Sequence, residues 1–529
     1  MSKQKKAFPS GGQSLLSASV IIAFASLFSR LLGLLRDRLL ASTFGAGDNL
    51  DIYYASFRLP DLIFNLLILG SLNSAFIPIF KDYLSKNKQA KAFITANNLL
   101  NLVIIILIIF SLILIIWAKP FMTLIAPGFS QEKIEQAAAL TQIMVLSPLF
   151  FSLSAIMGGI LNSYHRFVSY SLAPIIYNLG IICGIIFLVP RYGLIGLSLG
   201  VVIGAALNFL IQIPEIIQIG FRYQPILNLQ DSGLKKITIL MIPTTLSLAI
   251  SQINLTVDNI IGSTLSSGSI AVFNFANNIQ SLPIGIFSIP ICTAAFPKLV
   301  EHIAQKKYSD FSQQIIRSAK QILYLTIPVS IFMYIFRAQI VRLLLGAGAF
   351  NWEDTISTLN TVGLFAIGLP FQAIIPLYLR SFYSLKNTTK PLYSTFFAMI
   401  FNIIFSLIFT HYYGVSGLAL SFSITSIGHF LIINFLFQRS LPGFKLSLNS
   451  TLYKIIISSL VSGITAYCLL RFFEPIFSTN TFIGLFWQTL LSSIMSIVVY
   501  LGMSYLFHLE ELYSLLQILK ISNLFKKNK

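Results

Sequence analysis

Long, uninterrupted apolar runs recur along the whole chain. LNLVIIILIIFSLILIIWA occupies residues 100–118, and APIIYNLGIICGIIFLVP occupies residues 173–190. Such runs approach the ~20 residues that an α-helix needs to cross a bilayer. Transmembrane β-strands would instead be about ten residues long and would alternate between apolar and polar positions. The pattern therefore predicts an all-α, polytopic membrane protein.

The apolar segments and the polar breaks between them predict about fourteen transmembrane helices. The predicted spans are 14–41, 50–80, 93–118, 135–162, 168–189, 192–214, 236–264, 269–297, 318–345, 356–384, 391–412, 415–438, 452–473 and 480–506.

The distribution of charge predicts the orientation of the chain. Only 10% of the 529 residues are charged, yet the net charge is +19. Lysines concentrate in alternate connections, within 81–91, 298–320 and 439–454, whereas the opposite connections hold Asp48 and Glu132. Because cytoplasmic loops carry the excess of Lys and Arg, both termini are predicted to be cytoplasmic. The basic excess then reflects orientation and attraction to anionic membrane lipids, and it argues against a nucleic-acid partner.

Two segments of the chain recur later in the same order. DRLLASTFGAG, beginning at Asp37, matches DNIIGSTLSSG, beginning at Asp258. At the same offset, YGLIGLSLG at 192–200 recurs as YGVSGLALS at 413–421. Matches in order at one spacing indicate duplication. An even number of spans in each repeat makes the two halves parallel.

The duplication divides the chain into predicted regions. Residues 1–219 form one six-helix lobe, residues 236–440 form a second, and 220–235 is the cytoplasmic loop between them. Residues 448–507 are two additional helices, followed by an amphipathic basic tail at 508–529 that suits the membrane surface. Two lobes around a central cavity are typical of transporters. A duplicated scaffold without transport is the alternative.

Charged residues cluster in SRLLGLLRDRLLASTFGAGDNLD, residues 29–51. At about 100° per residue, Arg30 and Asp37 share a helix face, and Arg36 borders it. Charged groups at bilayer depth face a watery cavity or pair internally. Arg58 in the next span adds to an arginine excess, which suits a phosphate or pyrophosphate because a guanidinium binds oxygens in pairs.

The alternative is that these ions are structural. Arg38 is then an interfacial anchor and Asp61 belongs to a salt bridge within the lobe, and for these two residues we favour that interpretation. For Arg30 and Arg36 we favour the cavity.

The opening motif, FSRLLGLLRDRLLASTFGAGDNLDIYYASFRLPDLIF, strongly resembles the start of the MurJ (MviN) lipid II flippases. That family belongs to the MATE-like multidrug/oligosaccharidyl-lipid/polysaccharide exporter superfamily. Similar segments also occur elsewhere in both lobes: AFIPIF (75–80), IAPGF (125–129), GGILNSYHRF (158–167) and LYLRSFYSLKNTTKP (377–391).

The resemblance implies export of lipid II, the undecaprenyl-pyrophosphate-linked peptidoglycan precursor, across the bacterial cytoplasmic membrane. It implies that Arg30, Arg36 and Asp51 are important. In the mechanism that we expect, the headgroup meets Arg30, Arg36 and Arg58, and Asp51 positions these arginines or gates the exterior. Further candidates for gating or positioning are Asp37, Asn277 and Arg380. The two appended helices, roughly 452–506, would form a groove for the prenyl tail. We expect a monomer without a bound cofactor, and no enzyme activity.

The chain departs from the family pattern at several charged positions. Phe64, Asn65 and Leu69 stand where the family often has a basic pair and a glutamate. Within FANNIQSLP, Asn278 replaces an arginine, and Asn277 precedes it. Asparagine can donate hydrogen bonds to the headgroup but carries no charge. Either the first lobe suffices for the pyrophosphate, or the headgroup differs.

Some relatives bind a sodium ion, and the resemblance places the corresponding site at Asp258 and Asn402. Oxygen ligands suit a hard cation, but Ser406 stands where a further acid is expected. A protonated or hydrogen-bonded Asp258 is an equal alternative. No Walker loop is present, so transport would use Na⁺ or the membrane potential.

Three other functions are alternatives to a lipid II flippase. A flippase for another polyprenyl-linked glycan, such as an O-unit or capsule repeat, is the first alternative, because the charge at Asn278 is missing. A MATE-type cation or drug antiporter would prefer an acidic cavity. A membrane glycosyltransferase or polymerase would need a sizeable outer loop with catalytic carboxylates, and the predicted outer loops are short.

Overall fold

The fold of the chain was obtained as a computed structural model, which describes residues 15–66, 75–441, 443–444, 446 and 449–518. The described part is helical and contains no strand. Its helices are α1 (Leu15–Phe44), α2 (Asp48–Phe64), α3 (Ile77–Ser85), α4 (Gln89–Ile116), α5 (Ala118–Ile125), α6 (Gln131–Met144), α7 (Ser147–Ser163), α8 (Val168–Cys183), α9 (Val189–Leu210), α10 (Ile213–Gln218), α11 (Ser232–Ser263), α12 (Ser269–Pro283), α13 (Ile289–Ala304), α14 (Tyr308–Ile335), α15 (Arg337–Leu344), α16 (Trp352–Ser384), α17 (Thr389–Tyr413), α18 (Val415–Ser440), α19 (Asn449–Phe473), α20 (Phe482–Leu506) and α21 (Glu510–Ile518).

The all-α, membrane-spanning architecture predicted from the sequence is confirmed. Ten helical stretches in the described part are long and apolar enough to cross a membrane. The count of fourteen stays a prediction. Within the span predicted at 50–80, α2 ends at Phe64 and α3 begins at Ile77, and residues 67–74 between them lie outside the described residues. The span predicted at 318–345 corresponds to α14 and α15, and α14 begins already at Tyr308.

The chain forms two compact units, Met1–Ala271 (unit 1) and Val272–Lys529 (unit 2). Unit 1 contains α1 to α11, and unit 2 contains α13 to α21 and most of α12. The lobe boundaries at 219 and 236 stay a prediction. Leu69 and the tail beyond Ile518 lie outside the described residues.

In unit 1, α8 and α9 pack closely through glycines spaced four residues apart. A Cβ atom on Gly180 would lie 2.3 Å from Cα of Gly204, and one on Gly184 would lie 2.6 Å from Cα of Gly200. Small residues at this spacing let the two backbones approach each other, as is common between membrane helices. This packing fixes α8, which carries a residue of the candidate site.

The connection between α10 and α11 is held against α4 by side-chain amides. Asn97 donates to the carbonyl of Arg222 at 3.1 Å and accepts from the N–H of Gln224 at 3.0 Å. Asn101 donates to the carbonyls of Gln224 and Ile226, both at 2.8 Å. These bonds pair a stretch of irregular backbone that no helix or sheet satisfies.

A third amide extends this contact. Asn98 accepts from the N–H of Asn228 at 2.9 Å. We call Asn97, Asn98 and Asn101 the asparagine ladder. All three are buried, whereas the side chains of residues 222–230 are exposed. The ladder therefore fixes the connection mainly by its backbone, and Tyr223 adds a side-chain contact by donating its hydroxyl to Oδ1 of Asn101 at 2.7 Å.

Unit 2 has an aromatic core around Phe437, which contacts the rings of Phe382, Tyr378 and Phe444 with centroids 5.0, 5.5 and 4.9 Å away. Tyr378 also donates its hydroxyl to Asn434 at 2.8 Å. Aromatic edge-to-face contacts of this kind add to the burial of apolar area. They tie α16 to α18.

The two helices appended to the repeat pack against each other through small polar residues. Ser462 of α19 donates to the carbonyl of Ser496 on α20, and Ser458, Ser459 and Ser492 are also buried. Small side chains permit close packing where lipid provides no hydrophobic force between helices.

Candidate functional site

Arg36 of α1 is held in place by an acid and an amide within unit 1. Its Nε and Nη2 atoms donate to Oδ1 of Asp37 at 3.1 and 2.8 Å. Its Nη1 atom donates to Oδ1 of Asn178 on α8 at 3.3 Å. Asp37 is only 3% exposed, whereas Arg36 is half-buried. The guanidinium is thus oriented by fixed partners and keeps donors for a further anion.

Asn178 is a site residue that the sequence analysis missed. Its amide nitrogen donates to Oγ and the carbonyl of Ser29, each at 3.3 Å, and to the carbonyl of Pro174 at 3.1 Å. The same side chain therefore binds both the guanidinium of Arg36 and the backbone of α1 about two turns before it. A polar residue within the apolar run at 173–190 was the available signal.

Phenol groups surround the Arg36 guanidinium. Tyr53 and Tyr54 of α2 and Tyr177 of α8 each interact electrostatically with Arg36. Tyr53 is buried, and Tyr54 and Tyr177 are half-buried. The site around Arg36 is therefore built by α1, α2 and α8.

Arg58 of α2 lies in a second cluster of charges in unit 1. The carboxylates of Asp61 and Asp258 both interact electrostatically with its guanidinium. Nε of Arg58 and Oδ2 of Asp258 are buried without a hydrogen-bond partner among the described residues. Buried polar groups are normally paired, so this cluster retains capacity for a ligand.

Arg30 lies on α1, six residues before Arg36, and it is half-buried. Beside it, a Cβ atom added to Gly33 would meet nothing within 4 Å. The face of α1 shared by Arg30 and Gly33 thus borders open space.

Asp51 belongs to α2, but its side chain lies apart from the arginines and contacts the start of α12. Its Oδ2 accepts from the N–H of Gly268 at 2.7 Å, and its Oδ1 accepts from the N–H of Ala271 at 2.8 Å. The side chain is 3% exposed. A carboxylate at this position satisfies N–H groups of the first helical turn and is favoured by the helix dipole.

Asp48 reinforces the contact between α2 and the start of α12. It lies one helical turn before Asp51 on α2, ahead of the membrane span predicted at 50–80. It accepts hydrogen bonds from Nζ of Lys133 and from the hydroxyl of Ser267. Partial burial tends to raise the pKa of Asp48, but these two hydrogen bonds outweigh it and lower the pKa below its ordinary value. The start of α2, the start of α6 and residues 267–271 are therefore joined by two carboxylates.

The candidate residues of unit 2 have other neighbours. Asn277 accepts from Nε2 of Gln280 at 3.0 Å, and Asn278 is half-buried on the same helix. Arg380 of α16 donates to the hydroxyl of Thr293 on α13 at 2.8 Å. Their assignment to headgroup binding and gating stays a prediction.

Asn402 lies among oxygen atoms of α17 and α18. Its carbonyl oxygen Oδ1 is buried without a hydrogen-bond partner among the described residues. Its amide donates to Ser421 at 3.4 Å, and Ser406 also donates to Ser421, at 3.0 Å. Oxygen donors of this kind fit a hard cation, although the described residues contain no cluster of three or more His, Cys, Asp or Glu side chains.

The fold indicates the class of this protein. The structure matches that of an inward-facing MATE multidrug transporter of the MOP superfamily with a TM-score of 0.67, over 78% of this chain and 94% of that one, at 17% identity. The chain thus has the fold of these membrane transporters.

The family follows from closer matches. The model of the family "Lipid II flippase MurJ" matches residues 40–504, and the chain belongs to this family. It is 30% identical over 506 residues to a probable lipid II flippase MurJ of Thermotoga maritima, covering 95% of this chain and 99% of the relative. It is 29% identical over 458 residues to that of Borreliella burgdorferi, covering 86% and 89%.

A solved structure agrees with the sequence relatives. A lipid II flippase MurJ in an inward closed conformation matches with a TM-score of 0.78 and 28% identity, over 92% of this chain and 99% of that one. The resemblance inferred from the opening motif is confirmed.

Proposed function

We propose that this protein moves lipid II from the inner to the outer leaflet of the bacterial cytoplasmic membrane. Membership of the lipid II flippase family supports this function. The observation that carries the proposal is the Arg36 site, where Asp37 and Asn178 orient a half-buried guanidinium. Arginine binds the paired oxygens of a pyrophosphate better than any other side chain.

In this mechanism the headgroup enters a cavity that is open to the cytoplasm. Arg30, Arg36 and Arg58 bind the pyrophosphate, while the charges of Asp61 and Asp258 offset that of Arg58 when the headgroup is absent. A ligand shifts a conformational equilibrium only through its differential affinity for the two states. Exchange of the carboxylate partners of Arg58 for substrate oxygens would supply such a difference.

Asp51 has the role of a gate in this mechanism. Its two hydrogen bonds to the start of α12 would keep closed the end of unit 1 that is predicted to face outward. Release of the headgroup would require these bonds to break.

In the proposed orientation both termini are cytoplasmic, as the lysine distribution predicts. Na⁺ at Asp258 or Asn402, or the membrane potential, would drive the cycle.

The test is depletion of this protein in its own host, followed by an assay of the leaflet in which lipid II resides. Wild type and Arg191→Ala, which changes an exposed arginine of α9, should restore export, and Arg36→Ala should not. Normal export by Arg36→Ala at normal abundance would contradict the site. If another polyprenyl-linked glycan accumulates inside while lipid II is exported, the substrate is that glycan.

A further inference from the structure

A cavity of about 160 Å³ lies in unit 2 where α21 packs near α13 and α14. Ile286, Phe287 and Ile291 line one side of it, and Leu325 of α14 contributes a further apolar group. Gln321 and Glu511 contribute polar groups. Since one water occupies about 30 Å³ in the liquid, the cavity has room for a small polar headgroup.

Glu511 is the unusual residue of this cavity. It is 6% exposed, and its Oε2 atom has no hydrogen-bond partner among the described residues. None of the ion pairs in the described part of the chain includes it. A buried carboxylate without a partner is unfavourable, and a cation that donates hydrogen bonds would compensate it.

The position of Glu511 is fixed by the chain around it. The turn after α20 places His508 at a φ of 52°, and the N–H of Leu509 donates to the carbonyl of Ser504 at 3.0 Å. Leu509 and Leu512 on either side of the carboxylate are buried in a cluster with Tyr324. The carboxylate is therefore held at the cavity by a packed helix.

The surroundings of the cavity limit its ligand to a membrane component. It lies at the end of unit 2 that is predicted to be cytoplasmic, where α20 ends and α21 begins. The apolar wall suits the glycerol and upper acyl groups of a lipid, and the carboxylate suits a positively charged headgroup.

We propose that this cavity binds the primary ammonium headgroup of an aminophospholipid, with Glu511 accepting its N–H donors. A primary ammonium has three such donors, whereas the trimethylated headgroup of a choline lipid has none and is larger. Both lipids carry the same net charge. Hydrogen bonding to Glu511, rather than charge alone, therefore determines the preference.

The experiment compares two lipids with identical acyl chains, dioleoyl phosphatidylethanolamine and dioleoyl phosphatidylcholine. Each is titrated into the purified full-length protein, and bound lipid is counted by native mass spectrometry. Since hydrogen bonds to charged groups are stronger than neutral ones, we expect roughly ten-fold tighter binding of the ethanolamine lipid at one site.

Two matched variants test the assignment. Glu511→Gln keeps the shape of the side chain and should abolish the preference, whereas Glu510→Gln, which changes the exposed neighbour on the same helix, should retain it. The proposal would be overturned if wild type and Glu511→Gln preferred the ethanolamine lipid over the choline lipid equally, or if wild type showed no such preference.

A third variant guards against misfolding of Glu511→Gln. Leu325→Trp fills the cavity without altering the carboxylate and should also abolish the binding of the ethanolamine lipid. Free ethanolamine distinguishes a lipid from a soluble amine: it should not compete at the concentration at which the lipid saturates. Competition at that concentration would overturn the assignment to a lipid. Neither result depends on the transport of lipid II.

Discussion

Gly193 and Gly414 occupy equivalent turns of the repeated sequence and have almost the same backbone conformation. Their φ and ψ angles are 55° and −134° for Gly193 and 55° and −137° for Gly414. Three residues later, added Cβ atoms on Gly196 and Gly417 would lie 2.5 and 2.4 Å from the backbone of the preceding helix. The repeat in sequence thus encodes a repeat in backbone geometry.

These angles predict that alanine is costly at both turns. Positive φ with strongly negative ψ is accessible to glycine and strained for other residues, by about 1–3 kcal/mol. Gly414→Ala should therefore lower the melting temperature in scanning fluorimetry. Gly428→Ala is the control, because Gly428 is helical and a Cβ atom there meets nothing within 4 Å. A Gly414→Ala protein as stable as wild type would contradict the strain.

Asn178 is predicted to be a positioning residue for Arg36. Asn178→Ala removes its hydrogen bond to the guanidinium, and we expect lipid II flipping to fall about ten-fold, since a bond to a charged group contributes about 1.5–3 kcal/mol. Flipping is measured in proteoliposomes across a range of substrate concentrations, and the apparent KM should rise more than the maximal rate falls.

The control for Asn178 is Asn162→Ala, which changes an asparagine at the end of α7. Asn178→Gln should partly restore flipping, because it retains the amide. If Asn178→Ala lowers only the amount of folded protein and leaves the KM unchanged, its role is structural.

Asp51→Ala is predicted to loosen the start of α12. Loss of a capping side chain costs about 0.5–2 kcal/mol, so residues 267–271 should become more accessible to the outside. A cysteine at Ser267, introduced after replacement of the three native cysteines, reports this as faster reaction with a membrane-impermeant maleimide. Asp51→Asn keeps one acceptor oxygen and should give an intermediate rate. Equal rates in all three proteins would contradict the gate.

The contact of Asp48 with Lys133 is predicted to weaken only in acid. Since the folded protein lowers the pKa of Asp48, the contact stabilises the fold above the ordinary aspartate pKa of about 3.9, and this contribution is lost as the pH falls through the lower, folded-state pKa. The Asp48 side chain is 46% exposed, so we expect less than about 1 kcal/mol.

Melting curves of wild type and Lys133→Met between pH 7 and strong acid test this dependence. Wild type should melt at the higher temperature near neutral pH, and the difference should vanish in strong acid. A difference in melting temperature that grows as the pH falls would contradict a lowered pKa of Asp48.

The sequence predicted those parts of the structure that depend on local pattern. Apolar runs located the helices, and the neighbouring Arg36 and Asp37 form an ion pair in the structure, whereas the grouping of Arg30 with them stays a prediction. Apolar length marks only the part of a helix inside the bilayer, which is why α14 begins before the span predicted for it. That Asn278 replaces an arginine of the family stays a prediction from the resemblance.

The remaining features depend on contacts between distant segments. Nothing local to Asn178 indicates that it binds Ser29 and Arg36, and nothing local to Asp51 indicates that it binds N–H groups of residues 268 and 271. The sequence analysis left two roles open for Asp51, positioning the arginines or gating. Its place at the start of α12 favours gating, and the role itself stays a prediction.

The asparagine ladder has a consequence for the order in which the protein assembles. A ribosome completes α4 well before residues 222–228, whose backbone groups bond to Asn97, Asn98 and Asn101 across 123 to 130 positions of the chain. During that interval α4 must enter the membrane with amides that have no final partner. Docking of the later segment would then form these hydrogen bonds only if the first half of the chain has been correctly inserted, and it would do so before the second half is synthesised.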